Sequence, residues 1–196
     1  MTSTANPLRL AVIVASTRSG RFGPTVANWF VEHATQRTDV TVDLIDLVDT
    51  HLPSHLTNDP GEQGARALAQ MGARLEGADA FVVVTPEYNH SYPAPLKNAI
   101  DWHFTQWQAK PVGFVSYGGL SGGLRAVEHL KQVFTELHAV AVRDTVSFHG
   151  AADQFDSLGR PTSPVPSKAA ATKLLDQLVW FGEALRSARS ERPYVA

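Results

Sequence analysis

Apolar positions along the chain follow two alternating periods. Short runs rich in β-branched residues occur at Leu8–Val14, Val40–Asp46, Ala80–Val84, Pro111–Val115 and Val140–Phe148, and each reads as a strand. The first, third and fourth are nearly continuous apolar runs, as parallel strands covered on both faces require. Between the runs the apolar spacing lengthens to three and four residues. Ala27, Phe30, Val31 and Ala34 share one helical face behind Pro24, while Leu68, Met71 and Leu75 share another that stops at Gly77. A shorter helix is predicted over Pro95–Phe104. Longer ones follow along Val127, Leu130, Phe134 and Leu137, and along Leu174, Leu178, Phe181 and Leu185.

Five strand–helix units joined by right-handed crossovers predict an α/β three-layer sandwich. Its five-stranded parallel sheet carries helices on both faces, and the commonest strand order is 2-1-3-4-5, with a switch point between the first and third strands. Five strands are too few for an eight-stranded barrel. The 196 residues show no repeat and no linker, so a single domain is expected, with loops at Leu47–Gly61 and Gly150–Ser167. Residues 1–7 and 191–196 read as flexible ends.

Composition changes this picture at two points. A formal charge of -2 provides no field for nucleic acid or an anionic membrane. The chain has no cysteine, which excludes disulfides, thiolate metal sites and cysteine nucleophiles. Any redox chemistry then needs a bound cofactor to carry the electrons. The amino end lacks the features of a signal peptide and the run Leu8–Ala15 is too short to span a bilayer, so a cytoplasmic location is expected. His51 and His55 are four apart, but Pro53 between them opposes a helix that would align them as metal ligands, and no metal is expected.

The unusual residues gather in the loops after strands one, three and four. The first loop, Ala15-Ser16-Thr17-Arg18-Ser19-Gly20-Arg21-Phe22-Gly23-Pro24, leads from a buried strand to a helix start. Free N–H groups at such a start, with hydroxyls and arginines, suit a phosphate. The loop is neither a G-x-x-x-x-G-K-[ST] nor a G-x-G-x-x-G loop. The second, Thr85 to Trp102, is stiffened by Pro86, Pro93 and Pro95 and offers the flat faces of Tyr88 and Tyr92, features that a planar heteroaromatic ring would use. The third, Ser116 to Gly123, has four glycines that let the backbone approach a ligand. Gly119-Leu120-Ser121-Gly122-Gly123 also fits the G-x-S-x-G elbow of serine hydrolases, with Ser121 as nucleophile. That alternative needs an acid and then a histidine on later strands, and only one strand follows, with Asp144 and His149 both close to it.

Taken together the three segments resemble the NADPH-dependent FMN reductase family, the flavodoxin-like group that includes azoreductase-type and chromate or quinone reductases. The family's opening G-S-x-R-x-G appears as Ala15-Ser16-Thr17-Arg18-Ser19-Gly20, with Ala15 in place of glycine. Its P-E-Y-N segment, followed by L-K-N and D-W, appears as Pro86-Glu87-Tyr88-Asn89, then Leu96-Lys97-Asn98 and Asp101-Trp102. The glycine-rich turn is present as Ser116-Tyr117-Gly118-Gly119. The resemblance implies bound FMN, with Ser16, Arg18, Gly20, Arg21, Phe22 and Gly23 around its phosphate. Pro86, Glu87, Tyr88 and Asn89 would line the ring system, and Ser116, Tyr117, Gly118 and Gly119 would touch its opposite part. It further implies ping-pong hydride transfer from NADPH or NADH through FMN to a flavin, quinone or other small acceptor, with no side chain acting as acid or base. Homodimers or dimers of dimers are implied as well. The rival of another class is a flavodoxin-like electron carrier without NAD(P)H oxidation. Such carriers are usually strongly acidic, and this chain is nearly neutral.

Overall fold

The computed structural model describes residues 6–195, so the expectation for residues 1–5 and 196 lies outside the described residues. Five strands, β1 (Leu8–Val14), β2 (Val40–Asp46), β3 (Ala80–Pro86), β4 (Pro111–Gly118) and β5 (Val140–His149), form one parallel sheet in the order β2-β1-β3-β4-β5. The helices are α1 (Gly23–Ala34), α2 (Gly61–Gly77), α3 (Ala94–Asp101), α4 (Leu124–Glu136) and α5 (Pro164–Glu191). The fold is the flavodoxin-like one expected.

Alternate residues of each strand feed two cores. On one face Leu10, Val12, Val82 and Val115 pack beneath α1 and α5, against Phe30, Leu174 and Leu178. On the other face Ala11, Ile13, Phe81 and Phe114 meet Met71, Leu75, Leu96 and Leu130 from α2, α3 and α4. Each fully buried aliphatic or aromatic side chain contributes roughly 1.5–3 kcal/mol, so the double core supplies most of the stabilisation. Gly113 lets α5 approach, because a Cβ there would stand 2.6 Å from a methyl of Leu174. Where Gly113 sits, the β4–β5 pairing shifts register, so β5 carries an irregularity opposite the closest helix contact.

Two boundaries differ from the sequence pattern. Strands β3 and β4 run on through Pro86 and Gly118, so Thr85, Pro86, Ser116 and Tyr117 are strand residues, paired Thr85 with Ser116 and Pro86 with Tyr117. The helix expected over Pro95–Phe104 is α3, which ends at Asp101; a 3₁₀ turn at Thr105–Trp107 follows and drives Trp107 into the core. The register then aligns the loop exits. Val14 pairs with both Asp46 and Val84, and Val84 pairs with Val115, so the chain leaves β1, β2, β3 and β4 at neighbouring levels.

The opposite end of the sheet carries a polar cluster centred on Asp79. Asp79, buried before β3, accepts the Arg9 backbone N–H at 3.0 Å and the Arg186 guanidinium at 3.2 Å, with Arg189 at 3.8 Å. The Lys110 ammonium donates to the carbonyls of Leu75 and Glu76 at 2.9 and 3.0 Å, capping the carboxyl end of α2. No described helix is long and apolar enough to cross a membrane.

Candidate flavin site

The first loop folds around Ser16. This serine is fully buried, and its hydroxyl accepts the Tyr117 hydroxyl at 3.1 Å, which ties the loop to the end of β4. Gly23 makes the arrangement sterically possible, since a Cβ there would lie 2.4 Å from the Ser16 hydroxyl and 3.0 Å from that of Tyr117. Gly20 takes the left-handed conformation at φ +64°, which an L side chain rarely adopts. Ala15 has no such requirement. It lies in line with the strand and donates its N–H to Val84 at 2.9 Å, which explains why alanine serves where the family carries glycine.

The two arginines of this loop have different fates. Arg21 donates to the Ser16 carbonyl at 2.9 Å and to the Asp46 carboxylate at 2.6 Å, both of its anchors being protein. The Asp46 hydrogen bond outweighs burial and lifts the Arg21 guanidinium above its usual range. Arg18 is exposed and forms no ion pair among the described residues. Its guanidinium carbon stands 5.8 Å from the Tyr88 ring centre, joining the first loop to the second through a cation–π contact. Phe22 turns its ring inward, edge-on to Tyr117 at 6.0 Å and to Phe155 at 5.3 Å. No side chain caps the helix that follows; Pro24 has no N–H, and the Thr25 and Val26 N–H groups donate to the Phe22 carbonyl at 3.1 and 3.4 Å, which leaves the Gly23 N–H at the helix start.

The second loop is a preformed turn. Tyr88 and Ser91 exchange backbone hydrogen bonds at 2.8 and 3.0 Å around Asn89 and His90, both left-handed at φ 49° and 73°. That is a two-residue type I′ turn with asparagine in a favoured place and histidine in a strained one. The Tyr88 hydroxyl is buried without a hydrogen-bond partner. Glu87 bends back to the third loop, accepting the Ser121 hydroxyl at 2.5 Å, the Arg125 N–H at 3.2 Å and the Arg125 guanidinium at 3.0 Å. Burial raises the affinity of this carboxyl for its proton, but the three donors together overcome that and hold it below the usual carboxylate range.

The third loop is held from below. Ser116 and Ser147 both donate to the Gly122 carbonyl, at 2.8 and 2.9 Å. Gly123 stands at φ +86°, and a Cβ on it would come within 2.7 Å of the Ser116 Cβ. Above that floor the space beside the Gly119 Cα is open, while its carbonyl accepts the Gly150 N–H at 2.9 Å. Tyr117, closed off by the other loops, has its phenol pushed up to about 12, chiefly by burial.

The hydrolase alternative fails on these contacts. The Ser121 hydroxyl is committed to Glu87, while His149 binds the Leu120 carbonyl through Nδ1 at 3.0 Å and Asp144 bonds to Gln177 and Arg143. No serine–histidine–acid relay forms, because the elbow-like motif serves as a brace between loops.

The predicted residues therefore converge. Ser16, Arg21, Phe22, Gly23 and Tyr117 form one packed group, Arg18 meets Tyr88, and Glu87 meets the glycine-rich turn. The side chains of Ser116, Arg21 and Phe22 are turned to protein partners. Asp46 was missed because it lies at the end of β2, outside the three loops. Beside the group a cavity of about 150 Å³ is lined by Thr17, Val48, His51, Leu52, Pro95 and Asn98. Roomier grooves lie elsewhere, about 570 Å³ between α1 and the start of α5, about 720 Å³ between β2 and α2 and about 430 Å³ beside Arg9, Asp79 and Arg186. Volume alone does not locate the site here, since the unpartnered donors and the open space beside Gly119 lie at the loops.

This geometry defines a flavodoxin-like protein in which the loops after β1, β3 and β4 meet at the carboxyl ends of the strands. The profile of the NADPH-dependent FMN reductase family matches residues 8–153, and the chain belongs to that family. A quinone reductase of Escherichia coli K12 is 31% identical over 185 residues, covering 91% of this chain and 96% of that protein. An NAD(P)H-dependent FMN reductase of Schizosaccharomyces pombe is 40% identical over 122 residues, covering 59% of this chain and 60% of that protein, less than two thirds of its length. Among solved structures the flavoenzyme NAD(P)H:(acceptor) oxidoreductase FerB of Paracoccus denitrificans superposes with a TM-score of 0.73 at 25% identity, over 90% of this chain and 98% of that one.

Proposed function

We propose that the protein is an FMN-dependent NAD(P)H oxidoreductase that reduces a flavin, a quinone or another small acceptor. The observation that carries this reading is the direct side-chain linkage of all three loops, Ser16 to Tyr117, Arg18 to Tyr88 and Glu87 to Ser121. The residues present fit FMN. The unpaired guanidinium of Arg18 and the uncapped start of α1 suit its phosphate. The orphaned Tyr88 hydroxyl awaits a polar partner, and the open space beside the Gly119 Cα suits the edge of a planar ring.

FMN, when bound, would supply the hydride-transfer chemistry between the nicotinamide and the second substrate. The chain's own residues bind and orient. Pro86, Glu87, Tyr88 and Asn89 form one wall whose backbone is fixed by the turn, and Ser116 to Gly119 form the other. Glu87 holds the two walls at a constant separation. Leu120, 91% exposed at the rim, offers apolar surface of the kind a second copy or an acceptor would cover. The same reading carries a homodimer or tetramer and a cytoplasmic location.

The test is direct. Purified protein is expected to be yellow or to bind added FMN, and to oxidise NADPH or NADH when given a quinone or free flavin. Colourless protein that leaves FMN fluorescence unchanged on titration overturns the reading. Binding without nicotinamide oxidation would assign it to electron carriage.

A further inference from the structure

The first loop carries two arginines, yet they are not equivalent as partners for a phosphate. Arg21 lies at hydrogen-bonding distance from Asp46, with both side chains about four-fifths buried, and its second bond goes to the Ser16 carbonyl. Asp49 also acts on it electrostatically, as Arg18 and Arg21 both do on the Tyr117 hydroxyl. The two cations and the Asp46 carboxylate thus share the end of the cleft where Ser16 and Tyr117 meet.

Resting on the FMN reading above, we infer that Arg21 and Asp46 act as a neutral brace and leave Arg18 as the cation that meets the phosphate. Arg21 is then a positioning residue. It holds the Ser16 carbonyl in place, and its charge is cancelled by Asp46. Asp46 in turn sets the charge of the phosphate end, since a bare carboxylate there would repel a dianionic monoester. Coulomb interaction at partly solvated separations is strong enough for one unit of charge to change binding by about tenfold.

The experiment compares FMN with riboflavin, which has the same ring and ribityl chain but no phosphate. The ratio of the two dissociation constants isolates phosphate recognition, and riboflavin binding reports whether the loops still assemble. Arg21→Ala is expected to cut the preference for FMN by about tenfold, because it exposes Asp46. The isosteric Asp46→Asn is expected to raise the preference, most at low salt, because it frees the Arg21 charge. The double variant Arg21→Ala/Asp46→Asn is expected to return to the wild-type ratio within about twofold, as a self-contained pair should. Arg18→Ala alone is expected to lose the preference, because Asp46 still cancels the Arg21 charge.

A double variant that keeps the full loss seen in Arg21→Ala would overturn the inference, because Arg21 would then touch the phosphate itself. An Asp46→Asn protein with unchanged preference would also overturn it. Wild-type protein that binds neither FMN nor riboflavin would instead remove the FMN reading, and the two failures are thereby distinguishable.

Discussion

The two ends of the sheet use buried polar groups in opposite ways. At the amino ends of the strands the buried polar groups are answered from within, Asp79 by the Arg9 N–H and the Arg186 guanidinium, and Lys110 by the last carbonyls of α2. At the carboxyl ends, among the described residues, the Tyr88 hydroxyl has no partner and Arg18 has no counter-ion, and the space beside the Gly119 Cα is open. A satisfied cluster of this sort locks the helices to the sheet. An unsatisfied one costs stability that a ligand can restore. One chain thereby separates its folding end from its binding end.

The sharpest way to break this comparison is Gly23→Ala. The new Cβ displaces the Ser16 hydroxyl from Tyr117; overpacking of this kind costs about 2 kcal/mol of stability, and FMN affinity is expected to fall by about tenfold or more as the loop shifts. Titration of FMN fluorescence checks it. An unchanged dissociation constant would mean that the Ser16–Tyr117 contact has no part in binding.

Asp79→Ala should do the converse. It strips the buried carboxylate from around Arg186 and Arg189 and is expected to cost about 2–3 kcal/mol in urea unfolding, discounted because the arginines are partly exposed. FMN affinity should stay within about twofold. Loss of affinity with intact stability would show that the ends are not separate.

Alkaline titration sharpens the contrast further. Burial lowers the Lys110 ammonium from 10.5 to about 8, so above pH 8 the unfolded chain holds a proton that the folded chain has released. Stability from this lysine therefore rises between about pH 8 and 10.5. Burial raises the Tyr117 phenol from 10.0 to about 12, so the folded chain keeps a proton the unfolded one loses, and its contribution falls between about pH 10 and 12. Measured against Lys110→Met and Tyr117→Phe, the two differences are expected to run in opposite directions by about 1–2 kcal/mol. A flat difference for either variant removes that residue from its assigned end.

Much of this was legible in the sequence because it rests on local period. The runs Leu8–Val14 and Val40–Asp46 match their strands residue for residue, and the three loops were marked by glycine, proline and hydroxyl content. What escaped depends on adjacency between distant segments. Asp46 reads as the end of an edge strand until the register sets it beside Val14 and so beside Arg21. Ser121 sits in a pattern that nucleophiles share, and only the approach of Glu87 from 34 positions away reveals its use. The paired left-handed residues Asn89 and His90 carry no glycine, so their turn had no composition signal.

Glu87 has one more consequence. By grasping Ser121 and the first turn of α4 together, it makes the two walls of the cleft a single mechanical unit. Widening such a mouth for a bulkier acceptor by trimming one wall would disturb both. Changes in acceptor range are therefore tolerated best at the rim, at a residue such as Leu120, which no part of that unit leans on.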